Sequence, residues 1–161
     1  MATLVQQVDN AVYVEPLIRD SLERIKKRII EQMAANNRNA SGKSVKSLRV
    51  ETTGVDGVLW GKRNFMVMET GRKGGRVPYG FTSIIAQWIQ DKGISVFNRP
   101  HSAAWFIARK IAKEGTSLHR MGVQQDIYSK VIREEFEKLT KTIGVRFGSF
   151  INYVNAEYAK T

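Results

Sequence analysis

The sequence predicts an α+β fold, a small antiparallel β-sheet packed by N-terminal, central and long C-terminal helices. Two long segments, one from residue 15 and one from residue 123, repeat apolar residues at spacings of three and four. Between them lies a two-glycine turn flanked by alternating segments, the signature of a hairpin. A length of 161 residues suits one domain with its own core. The expected division is an N-terminal arm over 1–14, an α+β body over 15–143 and a helical segment over 144–161.

The first helix is expected over 15–35. Pro16 suits a first turn, where its missing N–H costs nothing. Ile18, Leu22, Ile25, Ile29 and Met33 form its apolar face. Arg24, Lys26, Lys27 and Arg28 lie off that face among Glu23 and Glu31, as on a solvated surface. The asparagines at 36, 37 and 39 end the helix.

Leu48–Thr53 and Val58–Trp60 read as hairpin strands around Gly54-Val-Asp-Gly57. Asn64–Thr70 reads as a third strand, apolar on both sides through Phe65, Met66, Val67 and Met68. Residues 71–80 hold four glycines, a proline and three cations, and must be a loop. Thr82 or Ser83 then caps a helix bearing Ile84, Ile85, Trp88 and Ile89, which stops at Lys92-Gly93. Ser102 caps the next, with Ala104, Ile107, Ala108 and Ile111 on its face and Gly115 at its end. Trp88 and Trp105 are expected as core or interface anchors. Thr116–Gly122 reads as loop. From Val123 a helical pattern runs through Ile132, Phe136, Leu139 and Ile143 and resumes as Phe147, Ile151, Val154 and Tyr158. Gly144 and Gly148 each cost a helix about 1 kcal/mol relative to Ala. Either one long helix tolerates both, or it breaks there and an arm departs.

The net charge is +11, and more than half of it falls in residues 37–82, with nine basic residues against three acidic. Such a surplus attracts polyanions. Lys43, Lys46, Arg49, Lys62 and Arg63 are the candidate contacts. With no cysteine and only two histidines, thiol catalysis and multi-histidine metal sites are excluded. Gly42-Lys43-Ser44 resembles the end of a phosphate-binding loop, but the required upstream glycine is Asn37 and no buried strand precedes it. Glu134, Glu135 and Glu137 lie three and four residues from cations and read as surface ion pairs. His119 reads as solvated. No run of apolar residues is long enough to span a bilayer, and the first residues lack a basic, apolar leader; a cytoplasmic start is expected. Phe147, Phe150, Tyr153 and Tyr158 make the last turns dense in aromatics, a composition that docks on something.

Three stretches, in order, carry a family resemblance. They are Ala40-Ser-Gly-Lys-Ser-Val-Lys-Ser-Leu48, Met68-Glu-Thr-Gly-Arg-Lys-Gly-Gly-Arg-Val-Pro-Tyr79 and Ala103-Ala-Trp-Phe-Ile-Ala-Arg-Lys-Ile-Ala-Lys-Glu-Gly-Thr116. The second leads into a helix ending Trp88-Ile89 and Lys92-Gly93-Ile94. Together they resemble the tail-component family of tailed bacteriophages, small virion proteins of the head–tail joining and tail-completion group. The resemblance covers about residues 40–116. It implies a small sheet with helices packed on it, a homo-oligomeric ring in the head–tail connector, neck or tail-completion complex, and no enzymatic activity or cofactor. Its implied partners are other neck, portal-side and tail proteins, with genomic DNA passing through the channel and no membrane. The chain would then reside in the virion, after assembly in the host cytoplasm. Arg72, Lys73, Gly74, Gly75, Arg76, Pro78 and Tyr79 are the expected subunit contacts, with the aromatic tail for docking. Gly74-Gly75 stands where relatives place a proline after a glycine, so this loop is expected to be mobile until assembly orders it. The rival reading is a basic nucleic-acid-binding protein.

Overall fold

A computed structural model describes residues 4–94 and 100–158, with side chains for 14–94, 101–152 and 155. Six helices and one hairpin follow in the order α1 (Leu4–Ala35), β1 (Arg49–Thr53), β2 (Asp56–Trp60), α2 (Phe65–Thr70), α3 (Phe81–Asp91), α4 (Pro100–Glu114), α5 (Ser117–Arg120) and α6 (Ser129–Tyr158). A 3-10 turn, Val45–Ser47, precedes β1. The fold is α+β with a two-stranded antiparallel sheet and a long C-terminal helix. Among the described residues, no helix is long and apolar enough to cross a membrane.

The chain divides into two compact units. The first comprises Met1–Ile29, Arg49–Trp60 and Tyr128–Thr161; the second comprises Ile30–Leu48 and Gly61–Ile127. In the first, α1 carries Ile25 and Ile29 inward, as their spacing predicts, and α6 carries Val131. The hairpin runs from Arg49 opposite Trp60 to Thr53 opposite Asp56, closed by Gly54-Val55. Val50, Thr52 and Leu59 face inward, while Arg49, Glu51, Val58 and Trp60 face out. Gly57 brings the hairpin against α1: a Cβ there would lie 2.7 Å from Leu22 Cδ1 and closer still to Ile18. Glu15 ties the hairpin tip down. It accepts bonds from Thr52 Oγ1 at 3.0 Å and from the Gly54 N–H at 3.2 Å.

In the second unit, α3 and α4 pack through Ile85, Ala86 and Ile89 against Ala103, Ala104 and Ala108. The alanines let the helix backbones approach, and Phe81, Ile94, Ile107 and Ile111 close the cluster. Lys92 Nζ donates to Asn37 Oδ1 at 2.7 Å and to the Asn39 carbonyl at 3.2 Å. That ammonium anchors the turn that follows α1.

Several expectations need correction. Helix α1 begins at Leu4, so Pro16 lies inside it and removes one ladder bond instead of starting the helix. Residues 65–70 form a helix, not a third strand. Phe65 and Glu69, one turn apart, are both buried, whereas Met66 and Val67 are exposed, which a strand could not produce. The α3 cap is Gly80 in a left-handed conformation, with Thr82 and Ser83 already in the first turn. Helix α4 starts at Pro100, so Ser102 lies in its first turn too. Residues 117–120 form a helical turn within the expected loop. Helix α6 starts at Ser129, after Asp126 takes a φ of 47° that interrupts any helix. It then runs unbroken through both Gly144 and Gly148.

Candidate functional site

The loop after α2 is built onto the end of α4. The Arg72 N–H donates to Thr116 Oγ1 at 2.9 Å, and the Thr116 N–H donates to the Arg72 carbonyl at 2.9 Å. The Gly75 N–H donates to the Ala112 carbonyl at 2.7 Å, satisfying an acceptor in the last turn of α4. The Arg72 guanidinium turns back to the Arg76 carbonyl at 2.6 Å and stacks 5.5 Å over the Phe81 ring. In the loop expected to be mobile, the backbone is hydrogen-bonded at both Arg72 and Gly75. Arg72 and Gly74 hold the loop's shape, while Lys73, Arg76, Pro78 and Tyr79 project into solvent. The contact set splits into an internal brace and four outward side chains.

The expected aromatic tail belongs to α6. Phe147 and Phe150 are 44% and 45% exposed, and Ile151 is 54% exposed. The side chains of Tyr153 and Tyr158 lie outside the described residues. The apolar stripe extends further back than the tail. Ile132 and Phe136, in the same helical pattern, are 42% and 64% exposed. The face that α6 buries is a different one, carried by Val131 and Glu135. Trp88, Trp105 and Phe106 are also half exposed, with Trp105 and Phe106 stacked edge to face and Arg109 over the Trp105 ring.

The basic candidates separate into two groups. Asn64 Nδ2 donates to Ser44 Oγ at 2.9 Å and the Lys62 N–H donates to Ser47 Oγ at 3.1 Å. These bonds gather Lys43, Lys46, Lys62 and Arg63 around one turn, all four exposed. None of the four takes part in a salt bridge among the described residues. Arg49 does not join them. It pairs with Glu51 at 3.0 Å and lies 5.5 Å over Trp60, whose indole N–H donates to Glu51 at 2.7 Å.

Sequence reasoning missed one constellation. Glu135, 2% exposed, receives Arg24 Nε at 3.0 Å, Arg28 at 2.9 Å and Lys138 Nζ at 2.8 Å. The bond from Lys138, followed by those from Arg24 and Arg28, holds its carboxyl well below the usual carboxylate range, at about 2. Arg28 also binds Glu134, whose hydrogen bond raises the guanidinium pKa further. Arg24 and Arg28, four apart on α1, were the available signal: both can reach one point on a neighbouring helix. This cluster clamps α6 to α1 through one buried carboxylate.

Among the described residues, no group of three or more histidines and carboxylates is placed to hold a metal ion. His119 is exposed on α5. Compared with known proteins, the chain shows no significant match to any family model, curated protein or solved structure.

Proposed function

We propose that this chain is a non-enzymatic structural protein of a tailed-bacteriophage particle, a subunit of a ring in the head–tail connector, neck or tail-completion complex. The observation that carries the reading is the set of exposed apolar side chains on α6: Ile132, Phe136, Phe147, Phe150 and Ile151. Five exposed large apolar side chains on one helix of a small chain are suited to burial against a partner. The three stretches resembling phage tail components support the same reading. So does the braced 71–79 loop, which presents Lys73, Arg76 and Tyr79 on a fixed backbone and so loses little entropy on contact. In this role the chain bridges portal-side and tail-side proteins in the virion, needs no cofactor, and surrounds the path of the DNA.

The test is quantitative mass spectrometry of purified particles before and after stripping loosely bound material. The expected result is retention at a fixed low copy number, far below that of the shell protein. Absence from particles while the protein is abundant in infected cells overturns the reading.

One observation favours a second reading, nucleic-acid binding: the gathering of Lys43, Lys46, Lys62 and Arg63 without carboxylate partners. If those four neutralise phosphates, replacing all with Gln lowers the log–log salt slope of duplex binding by about 3.6. An unchanged slope removes the cluster as a DNA face.

A further inference from the structure

The first unit carries two exposed apolar faces of different chemistry. One is the far half of α6, where Phe147, Phe150 and Ile151 are exposed. From residue 138 to 155 this helix has no carboxylate; Lys138 is held by Glu135, while Lys141 is exposed and takes part in no salt bridge among the described residues. Gly144 and Gly148 lie beside Phe147 and Ile151, and a Cβ added at either meets nothing within 4 Å. Two interior glycines weaken the helix by about 1 kcal/mol each, and among the described residues nothing approaches the bare backbone they leave. The other face is the outer side of the hairpin. Val58 and Trp60 are each nearly half exposed there, with Glu51 opposite Val58 and Asp56 two residues before it. Its one cation, Arg49, is engaged by Glu51 and Trp60.

We propose that the α6 stripe of one copy docks on the outer hairpin face of a second copy. Both faces are apolar at the centre, so their union removes Phe147, Ile151, Val58 and Trp60 from water. Lys141 flanks the helix side and Asp56 the hairpin side, so the rims carry opposite charge. Because the faces lie on different elements, the contact is heterologous: each added copy leaves one helix and one hairpin free, and the series ends only on closing into a ring. The inference deepens the ring reading by naming the surfaces that meet.

The absence of native cysteine makes the contact directly testable. Purified V58C and F147C chains are oxidised separately and mixed. The expected result is a covalent dimer formed mainly in the mixture, and a ladder of longer species from the doubly substituted chain. Lys141→Glu in the F147C chain reduces the cross-link several-fold, and Asp56→Lys in the V58C chain restores it. Dimer formed as readily by F147C alone overturns the proposal in favour of self-paired helices. So does a mixture that yields no more dimer than the separate chains. A chain retained in particles without this cross-link keeps the ring reading and sinks the contact. A chain that forms the cross-link but is missing from particles sinks the ring reading and keeps the contact.

Discussion

Gly115→Ala lowers stability by about 3 kcal/mol and releases the 71–76 loop from the end of α4. Two effects add. Gly115 has a φ of 80°, and a left-handed backbone costs an L-residue about 1 kcal/mol. The larger effect is steric. A Cβ at 115 would lie 2.6 Å from the Arg72 carbonyl oxygen and 2.9 Å from the Gly74 nitrogen, both backbone atoms that no side-chain rotation can move aside. The loop must retreat, and its retreat breaks the Arg72–Thr116 pair and the Gly75–Ala112 bond together. Gly122→Ala is the control. Its φ is 65°, and a Cβ there meets nothing within 4 Å, so only the conformational cost of about 1 kcal/mol is expected. Urea unfolding of both variants separates the two effects, and hydrogen exchange at the Gly75 and Thr116 amides reports loop release. Equal losses at 115 and 122 would show that the loop does not rest on this glycine.

That contact illustrates where the sequence becomes silent. Four glycines and three cations in ten residues establish a loop, but nothing local says that its anchor is Thr116, 44 residues downstream. The α1 face was legible because Ile25, Ile29 and Met33 repeat at helical spacing and periodicity survives tertiary packing. Phe65–Thr70 was not, because six residues are too few to separate a period of two from one of 3.6. The decisive fact there was burial of Glu69, which Gln124 Nε2 meets at 2.8 Å, and a carboxylate reads as surface until its partner is known. On α6 the period correctly marked an apolar face at Ile132, Phe136 and Phe147. A period shows that a face is apolar; it does not say what covers it, and this one is bare. The basic candidates follow the same pattern. Lys43 and Lys46 were visible as a run, as were Lys62 and Arg63, but their union depends on the Ser44–Asn64 and Ser47–Lys62 bonds. Arg49 could have been set aside from sequence alone. Glu51 lies two residues along the same strand, which alternation places on the same face.

Glu135→Gln destabilises the chain at neutral pH by about 2 kcal/mol, and the deficit disappears in acid. The amide keeps the shape of the carboxylate but removes the charge to which Lys138, Arg24 and Arg28 donate. The carboxyl titrates near 4.5 when unfolded and at about 2 when folded. A shift of that size corresponds to about 3 kcal/mol; with Arg24 and Lys138 largely exposed and screened, about 2 kcal/mol is the better expectation. The folded pKa is depressed, so this stabilisation is fully present above about pH 4.5. It is lost as pH falls towards 2, because the folded state must then take up the proton that the unfolded chain already carries. Glu15 and Glu134 are lowered too, chiefly by bonds from Thr52 and Arg28 respectively, so the parent chain loses stability in acid through several groups. Only the difference between parent and variant isolates Glu135. Urea unfolding of both proteins at neutral pH and at stepwise lower pH should give two stability curves that stay parallel above about pH 4.5 and converge below it. Curves that remain parallel down to the acid transition would mean that Glu135 is held by shape and not by charge. The clamp between α1 and α6 would then owe little to the three cations around it.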